Sequence, residues 1–390
     1  GTANCNVILS DTPVGSPIVT TPDVLIAMNL PSLQKYVDTV APGGQIYVDS
    51  ALIDAKVERT DVEVFYIPAT QLAKDAGMRS IVFTSKHHDG FCIWPNPQST
   101  HTVAQSKWRD GKGDVLKELS DACREYGLKF GIYISPWDQN DPHYGTPEYN
   151  EVFRKTIEHA HTSYGEVFEQ WFDGACGEGP NGKRQVYDWD MFNGEVFKHH
   201  PNAMIFSDVG PGCRWIGNER GICGATCWST MTTEGFGPGR DAPAKAILNG
   251  GEIGGKAWVP GESDVSIRPG WFWRESENDK VKSLHHLLYI YYSSVGHNSL
   301  LLLNVPPDTR GLIHECDAAR LKEFRQALDE IFDEDLAKGA TIKASATRGR
   351  KVKAENQSEY PDLIPALANE RTVELLQRAV DGGLLDEHYM

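Results

Sequence analysis

Apolar and polar positions change their period along this chain, and the changes divide it into three stretches. In the first, residues 6–9 (Asn-Val-Ile-Leu) and 45–49 (Gln-Ile-Tyr-Val-Asp) read as strands. Residues 22–29 read as a buried apolar element and 32–40 as an amphipathic helix. Pro42-Gly43-Gly44 supplies a turn before the second strand, and residues 62–67 make another strand. This alternation is Rossmann-like α/β material. From Ala76 the pattern changes. Strand signals at 80–85, 129–135, 168–173 and 203–207 alternate with helical stretches at 114–126, 147–163 and 190–199. Each strand is apolar almost throughout, as parallel strands covered on both faces must be. The spacing predicts an α/β fold of the (β/α)8 type, a TIM-like barrel. Near Arg348 the period is lost: residues 351–365 are polar and loop-like, and Asn369 caps a short helix ending at Gly382-Gly383. The expected organisation is therefore an α/β segment (1–75), a barrel (76–348) and a polar linker with a helical tail (349–390).

Composition narrows the partners. The formal net charge of −16 repels phosphate backbones and anionic lipid, so nucleic acid and membrane surfaces are excluded as expected partners. No apolar run reaches bilayer-spanning length. Ten Trp and fourteen Tyr offer planes on which the apolar faces of sugar rings stack, although any large core is also rich in aromatics. The start, Gly1-Thr2-Ala3-Asn4-Cys5, carries neither Met nor a signal-peptide pattern, and no compartment is read from it. Eight Cys are scattered. Cys223-Gly-Ala-Thr-Cys227 has a zinc-site spacing but no second pair follows it, so buried free thiols, with no metal, are expected.

Barrel enzymes carry their chemistry where strands end, because the loops on that face form the pocket. Three predicted strand ends qualify. Lys86-His87-His88-Asp89-Gly90-Phe91 places two imidazoles at a turn; they can donate to sugar hydroxyls, bind zinc, or be satisfied core histidines. Gly131-Ile-Tyr133-Ile-Ser-Pro136-Trp137-Asp138 ends its strand at Pro136 and puts Trp137 and Asp138 in the mouth, unless Trp137 is core filler. Glu169-Gln-Trp171-Phe-Asp173-Gly174 ends in a carboxylate that shares one face with Trp171 by the two-residue period. A strand-end nucleophile and a buried capping Asp both fit that pattern.

Four blocks in order, Lys-His-His-Asp-Gly-Phe-Cys-Ile-Trp (86–94), Trp-Arg-Asp-Gly-Lys-Gly-Asp (108–114), Trp-Phe-Asp-Gly (171–174) and Leu-Leu-Leu-Asn-Val-Pro-Pro-Asp (301–308), resemble glycoside hydrolase family 29, the α-L-fucosidases. Cys176-Gly-Glu-Gly-Pro-Asn-Gly-Lys-Arg184 and Arg214-Trp-Ile-Gly-Asn-Glu219 resemble the subgroup acting on branched α-1,3/1,4-fucosides. The resemblance implies hydrolysis of a terminal α-L-fucosidic bond in a fucosylated oligosaccharide or glycoconjugate, with retention of configuration and no metal or organic cofactor. It implies Asp173 as nucleophile, Glu219 as acid/base, and His87, His88, Tyr133 and Trp171 as substrate-binding residues, with Arg214 a looser match because the loop before it differs in length. Trp137 joins the expected substrate-binding set from its place at the strand end. Glu178, on the Gly-rich loop after Asp173, is the rival acid. Relatives of this kind are often secreted or periplasmic.

Residues 16–29 and the Pro-Gly-Gly turn resemble instead the gamma domain of 2-oxoacid:ferredoxin oxidoreductases, and no Cys cluster with ferredoxin spacing accompanies them. The fucosidase family opens its barrel with a strand carrying a Phe-Ile-His type motif, and residues 1–75 contain no His. The expectation is thus a chimeric chain whose barrel lacks its native first strand. The strands at 45–49 and 62–67 are the candidates to dock against 80–85 and close the sheet. An inactive or carbohydrate-binding remnant, or an oxidoreductase subunit, are the competing functions.

Overall fold

The computed structural model describes residues 21–335 and 338, apart from 28–29, 49–54 and 67–68. The strand expected at 6–9 and the helix expected from Asn369 lie outside the described residues. No helix among the described residues is long and apolar enough to cross a membrane.

The first elements are β1 (Val24–Ala27), α1 (Leu30–Tyr36), β2 (Gln45–Val48) and β3 (Glu63–Tyr66). They build a three-stranded parallel sheet in the order β1-β2-β3, with Val24 beside Gln45 and Gln45 beside Glu63. Leu33, Val40, Ile46 and Val48 form a small core of their own beneath it. Here the sequence expectation is corrected. The strands at 45–49 and 62–67 pair with each other, not with the strand at residue 80. Their buried side chains already have a local core, and α2 (Ala69–Asp75) intervenes before the next strand.

A second sheet begins with β4 (Ser80–Lys86). It continues through α3 (Val115–Tyr126), β5 (Lys129–Ile134), α4 (Glu148–Ser163), β6 (Glu169–Trp171), α5 (Trp189–His199), β7 (Met204–Ser207) and β8 (Cys213–Trp215). After β9 (Thr230–Met231), α6 (Lys245–Gly250) and β10 (Ala257–Trp258), whose strands make a small antiparallel pair, come β11 (Gly261–Ser266), α7 (Leu284–Ser294), β12 (Ser299–Asn304) and α8 (Glu315–Ile331). Seven strands pair in parallel in the order β12-β11-β8-β7-β6-β5-β4. The βα alternation read from the sequence is what forces this parallel pairing.

Local chemistry sets the helix ends. Asp114 accepts from the Lys117 amide and starts α3, and Gly127 in the left-handed region (φ 68°) stops it. In α4, Phe153, Thr156, Ile157, Ala160 and His161 follow the 3, 4, 7, 8 spacing of a buried helical face. Phe153, Ile157 and Ala160 join Leu116 and Cys123 of α3, Ile132 and Ile134 of β5 and Phe192 of α5 in the main core. Alternate residues of the strands point the other way, into the concave side. Trp171 of β6 reaches Glu262 of β11 there at 2.9 Å, although β7 and β8 lie between those strands in the sheet. A flat sheet would hold β6 and β11 roughly 14 Å apart, so the sheet is strongly curled. It is a partial barrel: β4 and β12, its two ends, do not pair with each other.

Candidate active site

The ends of β4, β5, β6 and β8 deliver the expected residues to the concave side. Asp173 stands two residues beyond β6, and both its oxygens are held: Tyr133 Oη donates to Oδ2 at 2.8 Å and the Ala175 amide to Oδ1 at 2.8 Å. Tyr133 is almost wholly buried, and burial with the adjoining Asp173 charge pushes its phenol well above the usual range, so it stays a donor. Its ring stacks on Trp171 (5.1 Å), which lies flat on Phe206 (3.9 Å, 8°).

His87 and His88 both follow β4, with ring centroids 3.9 Å apart. His88 Nδ1 meets Ser135 Oγ at 2.8 Å and Nε2 lies 3.8 Å from Asp173 Oδ2. Proximity alone would make the latter an ion pair. Burial, helped by the neighbouring His87 and Lys86, outweighs the pull of Asp173 and holds His88 down at about 4, so the contact is with a neutral imidazole. The carboxylate ahead of Nε2 favours the tautomer protonated there, leaving Nδ1 to accept from Ser135. Burial lowers His87 as well. Behind the pair, Lys86 is buried against Asp138 (3.0 Å) and donates to Ser135 O at 2.8 Å, tying the end of β4 to the end of β5. Gly90 has φ 79°, and a Cβ there would meet Asp138 Oδ1 at 2.3 Å, so the His-His-Asp-Gly turn requires glycine.

Glu219 follows β8 and receives the Trp271 indole N–H at 3.2 Å. One cavity of about 2650 Å³ is lined by His87, His88, Tyr133, Trp171, Asp173, Glu219, Trp271 and Phe272, and also by residues 80–84 of β4 and all of β12. The pocket therefore continues into the gap between the two unpaired edges. Its polar end presents Asp173, Glu219, two neutral imidazoles and a phenol among aromatic planes, with Glu262 and Asp264 also in its wall.

Three expected residues fall elsewhere. Arg214 is corrected: it lies within β8, where alternation points Cys213 and Trp215 inward and Arg214 outward. Its guanidinium is wholly buried and donates to Leu248 O (2.9 Å), Val259 O and Cys227 Sγ (3.3 Å), far from any sugar-binding role. Asp138 is buried in its ion pair and does not line the cavity. Trp137 packs on the His88 ring (4.6 Å) and donates its indole N–H to Glu178 O (3.1 Å), bracing the Gly-rich loop from behind. The Glu178 side chain is exposed and outside the cavity lining. Missed by the sequence reading were Trp271 and Phe272, the latter edge-on to His87 at 5.5 Å. Their signal was the Arg-Pro-Gly-Trp-Phe-Trp run (268–273) just past β11.

Among the described residues, two groups bring metal-type donors within 4.8 Å of one another: Glu158, Glu195 and His199, and Glu169, Cys213 and Glu262. In the first, Glu195 already binds Arg154 (2.7 Å), Lys198 (2.9 Å) and His199 (2.8 Å). The paired histidines belong to neither.

Two carboxylates lining one aromatic-rich pocket at the carboxyl ends of barrel strands fit the equipment of a glycoside hydrolase. The alpha-L-fucosidase family model matches residues 68–330, and a pyruvate ferredoxin/flavodoxin oxidoreductase model matches residues 1–86. Alpha-L-fucosidase 1 of Arabidopsis thaliana is 45% identical over 280 residues, covering 72% of this chain and 54% of its own length. The crystal structure of a glycoside hydrolase 29 family member from an unknown rumen bacterium superposes with a TM-score of 0.67 at 43% identity, over 71% of this chain and 51% of that one. The chain belongs to the alpha-L-fucosidase family, and it spans about half the length of the curated fucosidases it matches. Its N-terminal stretch is 44% identical over 77 residues to the ketoisovalerate oxidoreductase subunit VorA of Methanothermobacter thermautotrophicus, which is 20% of this chain and 16% of that protein. The chimeric character expected from the sequence is thereby supported.

Proposed function

We propose that the chain is a retaining exo-glycosidase that removes terminal α-L-fucose, α-1,3- or α-1,4-linked, from oligosaccharides and glycoconjugates. Asp173 attacks the anomeric carbon and forms a covalent glycosyl-enzyme while Glu219 protonates the leaving oxygen. Glu219 then takes a proton from the water that releases fucose. His87, His88 and Tyr133 hold sugar hydroxyls, Trp171 meets the sugar with its ring edge, and no cofactor takes part. In this reading residues 76–348 are the catalytic unit, residues 1–75 a Rossmann-like segment of the oxidoreductase type, and 349–390 a separate tail. The observation that carries it is Asp173, held at both oxygens and sharing one cavity with Glu219.

The test is Asp173→Ala. Turnover of 4-nitrophenyl α-L-fucoside should vanish, and azide should restore part of it by attacking from the vacated face to give β-fucosyl azide. A natively folded variant that ignores azide would make Asp173 a structural residue. A second reading, a carbohydrate-binding remnant, is favoured by the open gap beside the pocket. It is distinguished by calorimetric binding of fucose to a wild-type protein that turns nothing over.

A further inference from the structure

β11 reads Gly-Glu-Ser-Asp-Val-Ser, yet all six residues are buried. Buried polar groups persist only where they are hydrogen-bonded, and here the partners are telling. Glu262 Oε1 accepts the Trp171 indole N–H at 2.9 Å, and Asp264 Oδ1 accepts the Trp215 indole N–H at 2.9 Å. The two acids are two residues apart and so share the concave face.

Each indole leads to one candidate carboxylate. Trp171 is fixed between Phe206 and Tyr133, and Tyr133 grips Asp173. Trp215 is the last residue of β8, from which the chain turns at Gly217 (φ 78°) to Glu219. Beneath Glu262, Cys213 Sγ donates to Oε2 at 3.7 Å and Glu169 is buried. Burial and the adjacent Glu262 push the Glu169 carboxyl well above the usual range; burial raises Glu262 too, offset in part by the hydrogen bonds it takes from Trp171, Glu169 and Cys213.

We propose that Glu262 and Asp264 are positioning residues: from one strand they fix Trp171 and Trp215, and through them the spacing of the Asp173 and Glu219 halves of the pocket. The proposal rests on reading the cavity as a fucosidase site.

The ten tryptophans give a countable set of indole 15N–1H resonances, and Trp171→Phe and Trp215→Phe assign the two that matter. Glu262→Leu should move the Trp171 resonance upfield and lower kcat at least tenfold with KM changed less than threefold. Its unfolding midpoint should fall, because the Trp171 indole loses its buried acceptor, and the fall should be smaller in Glu262→Gln. Glu262→Gln still offers an oxygen to the indole and should recover most of kcat and the resonance. Asp264→Leu should shift the Trp215 resonance and slow substrates with poor leaving groups most. A Glu262→Leu protein with wild-type kcat and an unmoved Trp171 resonance overturns the proposal. So does an equal loss of activity and midpoint in both Glu262 variants, which marks a purely structural acid. If Glu262→Leu does not fold, Glu262→Gln decides alone: a displaced Trp171 resonance together with full activity would overturn the proposal. If the wild type releases no fucose the functional reading fails, while the resonances still decide where the two acids hold their indoles.

Discussion

At the scale of single residues, the sequence disclosed those groups whose role follows from standing at a strand end. Asp173 and Trp171 were legible because the strand signal around them ends at Gly174, and alternation puts both on one face. Arg214 was not, since β8 is three residues long and nothing in Gly-Cys-Arg-Trp reveals which of them alternates inward. The paired histidines were located, but their protonation depends on burial that no motif encodes. That burial gives a pH prediction. His88 is held at about 4 in the folded protein, by burial first and then by His87 and Lys86, against the pull of Asp173 and Asp89. Its unfolded value is about 6.5, so the unfolded chain takes up the proton first. The stability that depends on neutral His88 is present above about 6.5 and is lost as pH falls toward 4. Protonation would also lock Asp173 into an ion pair. The His88 ring should therefore titrate near 4 by NMR, with the acid limb of kcat/KM attributable to it in the same region. A ring midpoint near 6.5 would show that solvent reaches it freely.

At the scale of elements, long periodic segments were read almost residue for residue, whereas partner choice was not. Residues 129–135 and 147–163 announce their strand and helix through their own periods. Whether β3 pairs with β4 depends on tertiary packing that strand propensity does not contain. β11 escaped entirely, because its burial is achieved with Glu, Ser and Asp rather than with apolar residues. The ends of β4 and β5 show how polar burial joins elements. Side-chain exposure is 4% for Lys86 and 6% for Asp138, so each is the other's charge partner in a nearly dry site. Lys86→Met should cost about 3–5 kcal/mol, the penalty for leaving a buried carboxylate unpaired. Adding Asp138→Asn should return most of it, since the amide oxygen still accepts from the Asn140 and Asp141 amides. Urea denaturation of the two variants measures this, and a single-variant loss below about 1 kcal/mol would mean that water reaches Asp138.

At the scale of the whole molecule, the decisive feature is the unpaired seam between β4 and β12. A cavity of about 2650 Å³ exceeds the roughly 300–1,000 Å³ of ordinary ligand pockets. The excess runs along residues 80–84 and β12, where an eighth strand would complete the barrel. Among the described residues the outward amides on those two edges have no strand to bond, so they should exchange with deuterium far faster than amides in β5 and β6, each flanked on both sides. Water entering there also weakens every electrostatic contact in the pocket, because charge interactions fall as the local dielectric rises. Residues 1–75 contain no His, so they cannot replace the first-strand imidazole that the family resemblance implies. Losing a hydrogen bond to a buried sugar hydroxyl removes on the order of 1–1.5 kcal/mol, about tenfold in rate when the bond tightens in the transition state. Together with wetting of the pocket, this leads to an expected kcat on 4-nitrophenyl α-L-fucoside roughly a hundredfold below that of the plant relative assayed alongside. Equal turnover, with rapid exchange along β4 and β12, would mean that neither the closing strand nor its imidazole contributes to the chemistry. Equal turnover with slow exchange would mean that the seam is closed in solution.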